Sequence, residues 1–231
     1  MNATPERSIG TYLISSRSFA EYRAMFALTD ADLHGRVLDC PGGGASFTAT
    51  GTEQGLDVVA VDPVYATPHE ELIAQLAGEL DRGAAWMRAG ADAYEWAFYG
   101  DLAGHTRLRR ESAQLFVADL RAHPERYLPA SLPSLPFADS GVDLVLSSHL
   151  LFTYADRLDF SFHLAALKEM ARVTRGQVRV YPLVDQNGHP LDDLVAALIA
   201  ALAAVDLSGR VVEVDYEFQR GARGMLITDA S

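Results

Sequence analysis

The sequence predicts an α/β fold: a mostly parallel sheet with helices on both faces and an antiparallel hairpin at its C-terminal end. Three observations predict it. Strand-like and helix-like segments alternate along the chain, as βαβ units require. The first strand-like runs are apolar almost throughout, as strands covered on both faces are. The last two runs lie only five residues (RGARG) apart, which reads as a hairpin.

The strand-like runs are Arg36–Cys40, Asp57–Asp62, Val142–Ser148, Gln177–Leu183, Arg210–Gln219 and Gly224–Thr228, with a weaker one at Tyr127–Ser131. Among the helices, Leu191–Val205 is the clearest. Leu191, Leu194, Val195, Leu198, Ile199, Leu202 and Val205 form one apolar stripe, and Pro190 precedes it. Asp156–Thr174 reads as a second helix that stops near Gly176, and Ala45–Gln54 as a third closed by Gly55. Two segments stand outside the alternation. Ser16–Leu28 is helix-like, within an N-terminal cap over 1–34. Residues 83–126 are helical and aromatic, too long for a plain connection, and read as a helical insert or lid before the third strand. The expectation is a single domain over 1–231.

Bulk properties narrow the function. Apolar residues make up 49% of the 231, enough for a sizeable core. No apolar run reaches the roughly 18–20 residues of a membrane span, and no signal peptide is evident. The single cysteine, Cys40, allows no intrachain disulfide and fits a reducing cytoplasm. A net charge of −12 argues against nucleic acid as partner. One cysteine without a plausible ligand set argues against zinc, so no metal is expected.

The chemistry concentrates in LDCPGGGASFTA, where the first strand breaks into Pro41-Gly42-Gly43-Gly44. Consecutive glycines serve positive φ or the close approach of another group. The turn lies where ligands bind in open parallel sheets, with backbone amides able to receive negative charge. Twenty residues after Gly42 comes Asp62, placed to accept the hydroxyls of a ribose. A dinucleotide fingerprint G-x-G-x-x-G fails, because its third glycine falls at Phe47. Asp39, two residues before the turn, would repel a pyrophosphate and attract a cationic ligand.

On these residues the chain resembles the class I S-adenosylmethionine-dependent methyltransferases, whose fold is Rossmann-like. Asp39-Cys40-Pro41-Gly42-Gly43-Gly44-Ala45 answers the family's [D/E]-x-G-x-G-x-G, with only the middle glycine kept, as Gly43. VVAVDP ends in the ribose carboxylate Asp62. LPFADSGVDLVLSSHLL (Leu135–Leu151) matches the stretch leading into strand four, with Ser131 where many members carry an adenine-binding aspartate. The segments EYRAMF (Glu21–Phe26) and SHLLFTY (Ser148–Tyr154) resemble an uncharacterised bacterial branch. The resemblance implies S-adenosylmethionine as cofactor, held by Asp39, Pro41, Gly42, Gly43, Asp62, Pro63, Ser131, Leu132 and Ser148. It also implies that Tyr12, Arg17, Tyr22 and Met25 close over the site.

Methyl transfer from a sulfonium needs alignment and exclusion of water, and a base only when the acceptor loses a proton. His149 and Tyr154, after strand four, are the catalytic candidates. Each has a plain alternative: His149 ordering the strand end, Tyr154 packing under the insert. Phe152 and Thr153 stand where the family often carries a His-His pair. Cys40 reads as a small buried residue. Arg107, Arg109 and Arg110 concentrate charge, so that Arg107 and Arg110, with Tyr22, are candidate acceptor contacts; a solvated helix face is the alternative. Trp86, Tyr94, Trp96, Phe98 and Tyr99 either wall an acceptor pocket or form the core of a helical subdomain. The expected activity is O- or N-methylation of a small molecule. A non-catalytic protein of the same fold and a nicotinamide oxidoreductase are the rivals.

Overall fold

The computed structural model describes residues 9–230. The part of the N-terminal cap before Ile9 lies outside them. The strands are β1 (Arg36–Asp39), β2 (Asp57–Val61), β3 (Tyr127–Leu128), β4 (Val142–Ser148), β5 (Thr174–Tyr181), β6 (Ser208–Glu213) and β7 (Gly224–Asp229). They form one sheet in the order β3-β2-β1-β4-β5-β7-β6. β1 pairs in parallel with β2 on one side and β4 on the other, Leu38 facing both Val59 and Val145. β7 runs antiparallel to β5 and β6, with Val180 opposite Leu226 and Val211 opposite Leu226 from the other side. The chain winds outward from β1 to β3, then returns to β4 and winds the other way. The crossover between β1 and β4 is therefore the switch point where such sheets bind ligands.

Helices α1 (Phe19–Met25), α2 (Phe47–Glu53), α3 (His69–Ala89), α4 (Leu102–Ala122), α5 (Phe160–Val173) and α6 (Asp192–Ala203) cover the two faces. Under α5 and α6 the core holds Leu167, Met170, Leu198 and Leu202, all fully buried. Across the sheet, Phe47 of α2 stacks between Phe19 and Tyr22 of α1, with ring centres at 5.2 and 4.6 Å. Burying one such ring contributes about 1.5–3 kcal/mol. This stack ties α1 to the helix after the glycine turn, and so brings Tyr22 to the end of β1.

Three expectations are corrected. The insert boundary at 83 falls inside α3, which continues for 21 residues from His69; an isolated glycine at 83 weakens a helix without ending it. The run Arg210–Gln219 leaves the sheet after Glu213. Phe218 instead accepts a hydrogen bond from Glu95 N at 2.7 Å, Arg220 N donates to Ala93 O, and Tyr94 bridges to Gln219. The connection after β6 thus pairs with the segment between α3 and α4. Helix α5 starts at Phe160, capped by Asp159 accepting from Phe162 N, and β5 follows it directly. No helix among the described residues is long and apolar enough to cross a membrane.

Candidate active site

The glycine turn is approached mainly by protein. Gly42 N donates to Val61 O, Gly43 N to Asp62 Oδ2 at 2.9 Å, and Gly44 N to Ser15 O at 3.0 Å. The Tyr65 hydroxyl donates to Gly43 O at 2.9 Å. A Cβ at Gly42 would stand 2.5 Å from that hydroxyl oxygen, and one at Gly44 would stand 2.8 Å from Leu76. Gly43 adopts φ +53° with Ser15 O close by. The glycines therefore admit residues 15–17, which cross the turn as a strap, and Tyr65. The turn's amides, able in principle to receive negative charge from a ligand, all have protein acceptors.

Beside the turn, at the carboxyl ends of β1, β2 and β4, lies a cavity of about 540 Å³. Of the predicted cofactor residues, Pro41, Gly43, Asp62, Pro63, Ser131, Leu132 and Ser148 line it, as do Tyr22, His149 and Tyr154. Gly42 does not. Asp62 sits in the wall with Oδ2 accepting from Gly43 N and Oδ1 from Val64 N. Burial raises its pKa, and the two amides oppose the rise. A carboxylate offers about four acceptor positions, so two remain for a ligand.

Asp39 differs. It is 1% exposed and is not on the cavity surface. Its Oδ1 accepts from the Tyr22 hydroxyl at 2.9 Å, and Tyr22 is what the cavity meets. Burial pushes the Asp39 carboxyl well above the usual range, against the effect of that hydrogen bond; the Asp62 charge adds to the rise. Direct contact of Asp39 with a ligand is thus corrected to contact through Tyr22. Cys40 lines the cavity, with its thiol held protonated by burial.

His149 follows β4 at φ +52°, a conformation in which histidine is enriched. Its backbone N donates to Tyr181 O, and Nδ1 lies 2.9 Å from Ser148 Oγ. Burial, then the charge of Arg17, lowers its pKa well below the usual value, so the ring is neutral at pH 7. The Tyr154 hydroxyl accepts from Leu13 N at 2.9 Å, and its ring meets Tyr12 at 4.7 Å. Tyr154 therefore anchors the strap. Both side chains also line a second chamber of about 80 Å³, shared with Arg17, Trp86, Tyr94 and Phe218.

Arg107 and Arg110 do not reach either space. They lie on the exposed face of α4, paired with Glu111 and Asp81. Arg109 turns inward instead. It donates to Glu21, which also receives Arg17, Tyr99 at 2.7 Å and Tyr216 at 3.0 Å. The arginine charges hold the fully buried Glu21 carboxyl well below its usual pKa despite desolvation, the largest opposing effect. The sequence carries a signal for this cluster: His105, Arg109, Ser112 and Phe116 share one helical stripe. The insert's aromatics are not a separate core. Tyr94, Trp96 and Tyr99 all pack on Phe218, at 4.8, 5.8 and 5.0 Å. Among the described residues no group of acidic, histidine and cysteine side chains is placed to hold a metal.

No protein-family model matches the chain. An uncharacterized protein of Methanocaldococcus jannaschii is 25% identical over 219 residues, covering 93% of this chain and 95% of that one. Among solved structures, the magnesium protoporphyrin IX methyltransferase of Synechocystis PCC 6803, with S-adenosylmethionine bound, matches with a TM-score of 0.50 at 13% identity. The match covers 92% of this chain and 79% of that one. Mitomycin 7-O-methyltransferase matches with the same score at 16% identity, over 92% of this chain and 54% of its own. With the sheet order, these similarities establish the class I methyltransferase fold.

Proposed function

We propose that the protein is an S-adenosylmethionine-dependent methyltransferase that acts at oxygen or nitrogen of a small-molecule acceptor. The carrying observation is the 540 Å³ cavity at the switch point with Asp62 in its wall. Its size is that of a ligand pocket, and the free acceptor positions on Asp62 suit the two ribose hydroxyls. Pro41, Gly43, Pro63, Ser131 and Leu132 would flank the nucleoside. The cofactor supplies an already activated methyl group. The protein's work is to exclude water, align the acceptor and take its proton.

His149 suits the last task. The Ser148 hydroxyl reaches Met25 Sδ at 3.8 Å, and a thioether only accepts. With the hydroxyl turned to Met25, Ser148 Oγ accepts from Nδ1–H of His149, and in that tautomer Nε2 is unprotonated and able to take a proton from a hydroxyl or amine. The single, buried Cys40 supports a cytoplasmic setting.

Calorimetry with S-adenosylhomocysteine tests the reading. Micromolar binding is expected, and no heat at saturating ligand overturns it. One observation favours a non-catalytic protein of this fold: the glycine turn has no amide left over for a cofactor. That reading predicts the absence of heat.

A further inference from the structure

The smaller chamber has a charge imbalance that the methyl donor's cavity does not explain. Arg17 and Arg109 both converge on Glu21, among the described residues the one carboxylate that receives them. Asp39 accepts from Tyr22 rather than from either arginine. His105 adds no negative charge; burial and then Arg109 lower its pKa to about 2, so it is neutral. Among the described residues one positive charge is left over, on side chains withdrawn from water; Arg17 is 7% exposed. A buried charge without a counter-charge is costly.

Hydrogen bonding points to the same place. Among the described residues, Arg17 Nε and Thr153 Oγ1 are buried without a partner, and both residues line this chamber. Buried polar groups are normally paired. Both atoms are closed off behind the chamber wall, so a small turn of either side chain would bring an unpaired donor to an acceptor seated in the space. Among the described residues no acidic side chain lines the chamber, and Trp86, Tyr94, Tyr154 and Phe218 give it aromatic walls. A space of about 80 Å³ holds several waters, or a small planar group. Leu13, Ser15, His149 and Tyr154 line both this chamber and the large cavity, so a molecule seated here borders the donor at His149.

We infer that the chamber binds the carboxylate of a small aromatic acid, the methyl acceptor, with Arg17 as its counter-charge and Thr153 as a further donor. This rests on the methyltransferase reading for the word acceptor, but the anion site stands on its own residues. A monoanion matches the single surplus charge. The acceptor's oxygen or nitrogen then lies on the His149 side, where the proton leaves.

The test is calorimetric titration of benzoate, with benzamide as the uncharged isostere, into the full chain saturated with S-adenosylhomocysteine. Benzoate is expected to bind at least tenfold more tightly than benzamide. Thr153→Val, which loses no internal hydrogen bond, is expected to weaken benzoate about fivefold and leave S-adenosylhomocysteine unchanged. Arg17→Gln is expected to abolish the preference for benzoate; Thr153→Val keeps the question open to experiment if that variant does not fold. Equal binding of benzoate and benzamide overturns the proposal, as does an unaltered benzoate affinity in Thr153→Val. So does an Arg17→Gln protein that loses S-adenosylhomocysteine but keeps benzoate, because the arginine then serves the cofactor's own carboxylate. Tight benzoate without any S-adenosylhomocysteine binding leaves the anion site standing and sinks the methyltransferase reading alone.

Discussion

Asp39 and Asp62 close neighbouring parallel strands, one at the end of β1 and one just past β2, yet only Asp62 meets the cavity. Asp62 is held by two backbone amides of its own turn and the adjacent one. Asp39 is covered by a tyrosine from α1, a helix that lies outside the βα alternation. Local sequence puts a carboxylate at a strand end; packing of a remote element decides whether a ligand can touch it. The same contrast separates the two halves of the site. The nucleoside side is built from turns contiguous with the strands. The strap side is built from α1, α4 and the β6–β7 connection, joined through Glu21.

The strap side breaks most severely. Glu21→Ala would leave Arg17 and Arg109 buried without their carboxylate. Loss of one partner of a buried pair costs about 3–5 kcal/mol, so urea denaturation is expected to show a loss of that order, or no folded protein. A near-neutral result would mean that water reaches both arginines. On the nucleoside side, Gly42→Ala forces a methyl within 2.5 Å of the Tyr65 hydroxyl oxygen and 2.8 Å of the Ala60 Cβ. Overpacking of this kind costs about 1–3 kcal/mol. Unchanged stability would show that Tyr65 is not fixed against the turn.

Much of the nucleoside side was legible. β1, β2 and β4 announce themselves by apolar runs, and the carboxylates and glycines fall at fixed offsets from them. The strap side was not, because its contacts join residues up to 195 positions apart, as between Glu21 and Tyr216. Alternation in Arg210–Gln219 persists after the strand has left β7, so pattern alone places the strand end too late. Three arginines crowd within four residues of α4, and only the helical stripe through His105 and Phe116 separates the inward Arg109 from its neighbours. Ser15–Arg17 carry no motif at all; the reason for three glycines appears only when the strap lies across them.

Binding sharpens the comparison. Asp62→Ala removes the charged acceptor of the ribose hydroxyls, and the loss of one such hydrogen bond is worth about 1.5–3 kcal/mol. S-adenosylhomocysteine affinity is therefore expected to fall roughly 10- to 150-fold by calorimetry. Acid separates the halves more gently. His105 has a folded pKa of about 2 against about 6.5 unfolded. Its contribution to stability is thus complete above pH 6.5 and is lost progressively as pH falls toward 2, because the unfolded chain binds the proton first. His149, also lowered, acts in the same direction. Between pH 7 and pH 5 the His105 contribution falls by about 2 kcal/mol. His105→Phe, stacked on Phe218 as the imidazole is at 5.0 Å, is expected to show an acid loss smaller by that amount.

The smallest effect tests the comparison most directly. Asp39→Asn keeps an oxygen able to accept from Tyr22, and burial already disfavours the charge on Asp39. If Tyr22 stays in place, S-adenosylhomocysteine affinity changes by less than about fivefold, since the neutral bond lost or kept differs by under ~1 kcal/mol. The matching change Asp62→Asn replaces one charged acceptor oxygen by an NH₂ facing one of the two backbone donors, and should cost tenfold or more, a difference of about 1.4 kcal/mol. Reversed ranks would mean that Tyr22 swings aside on binding and exposes Asp39. The covering of one carboxylate by α1 would then be a gate rather than a wall.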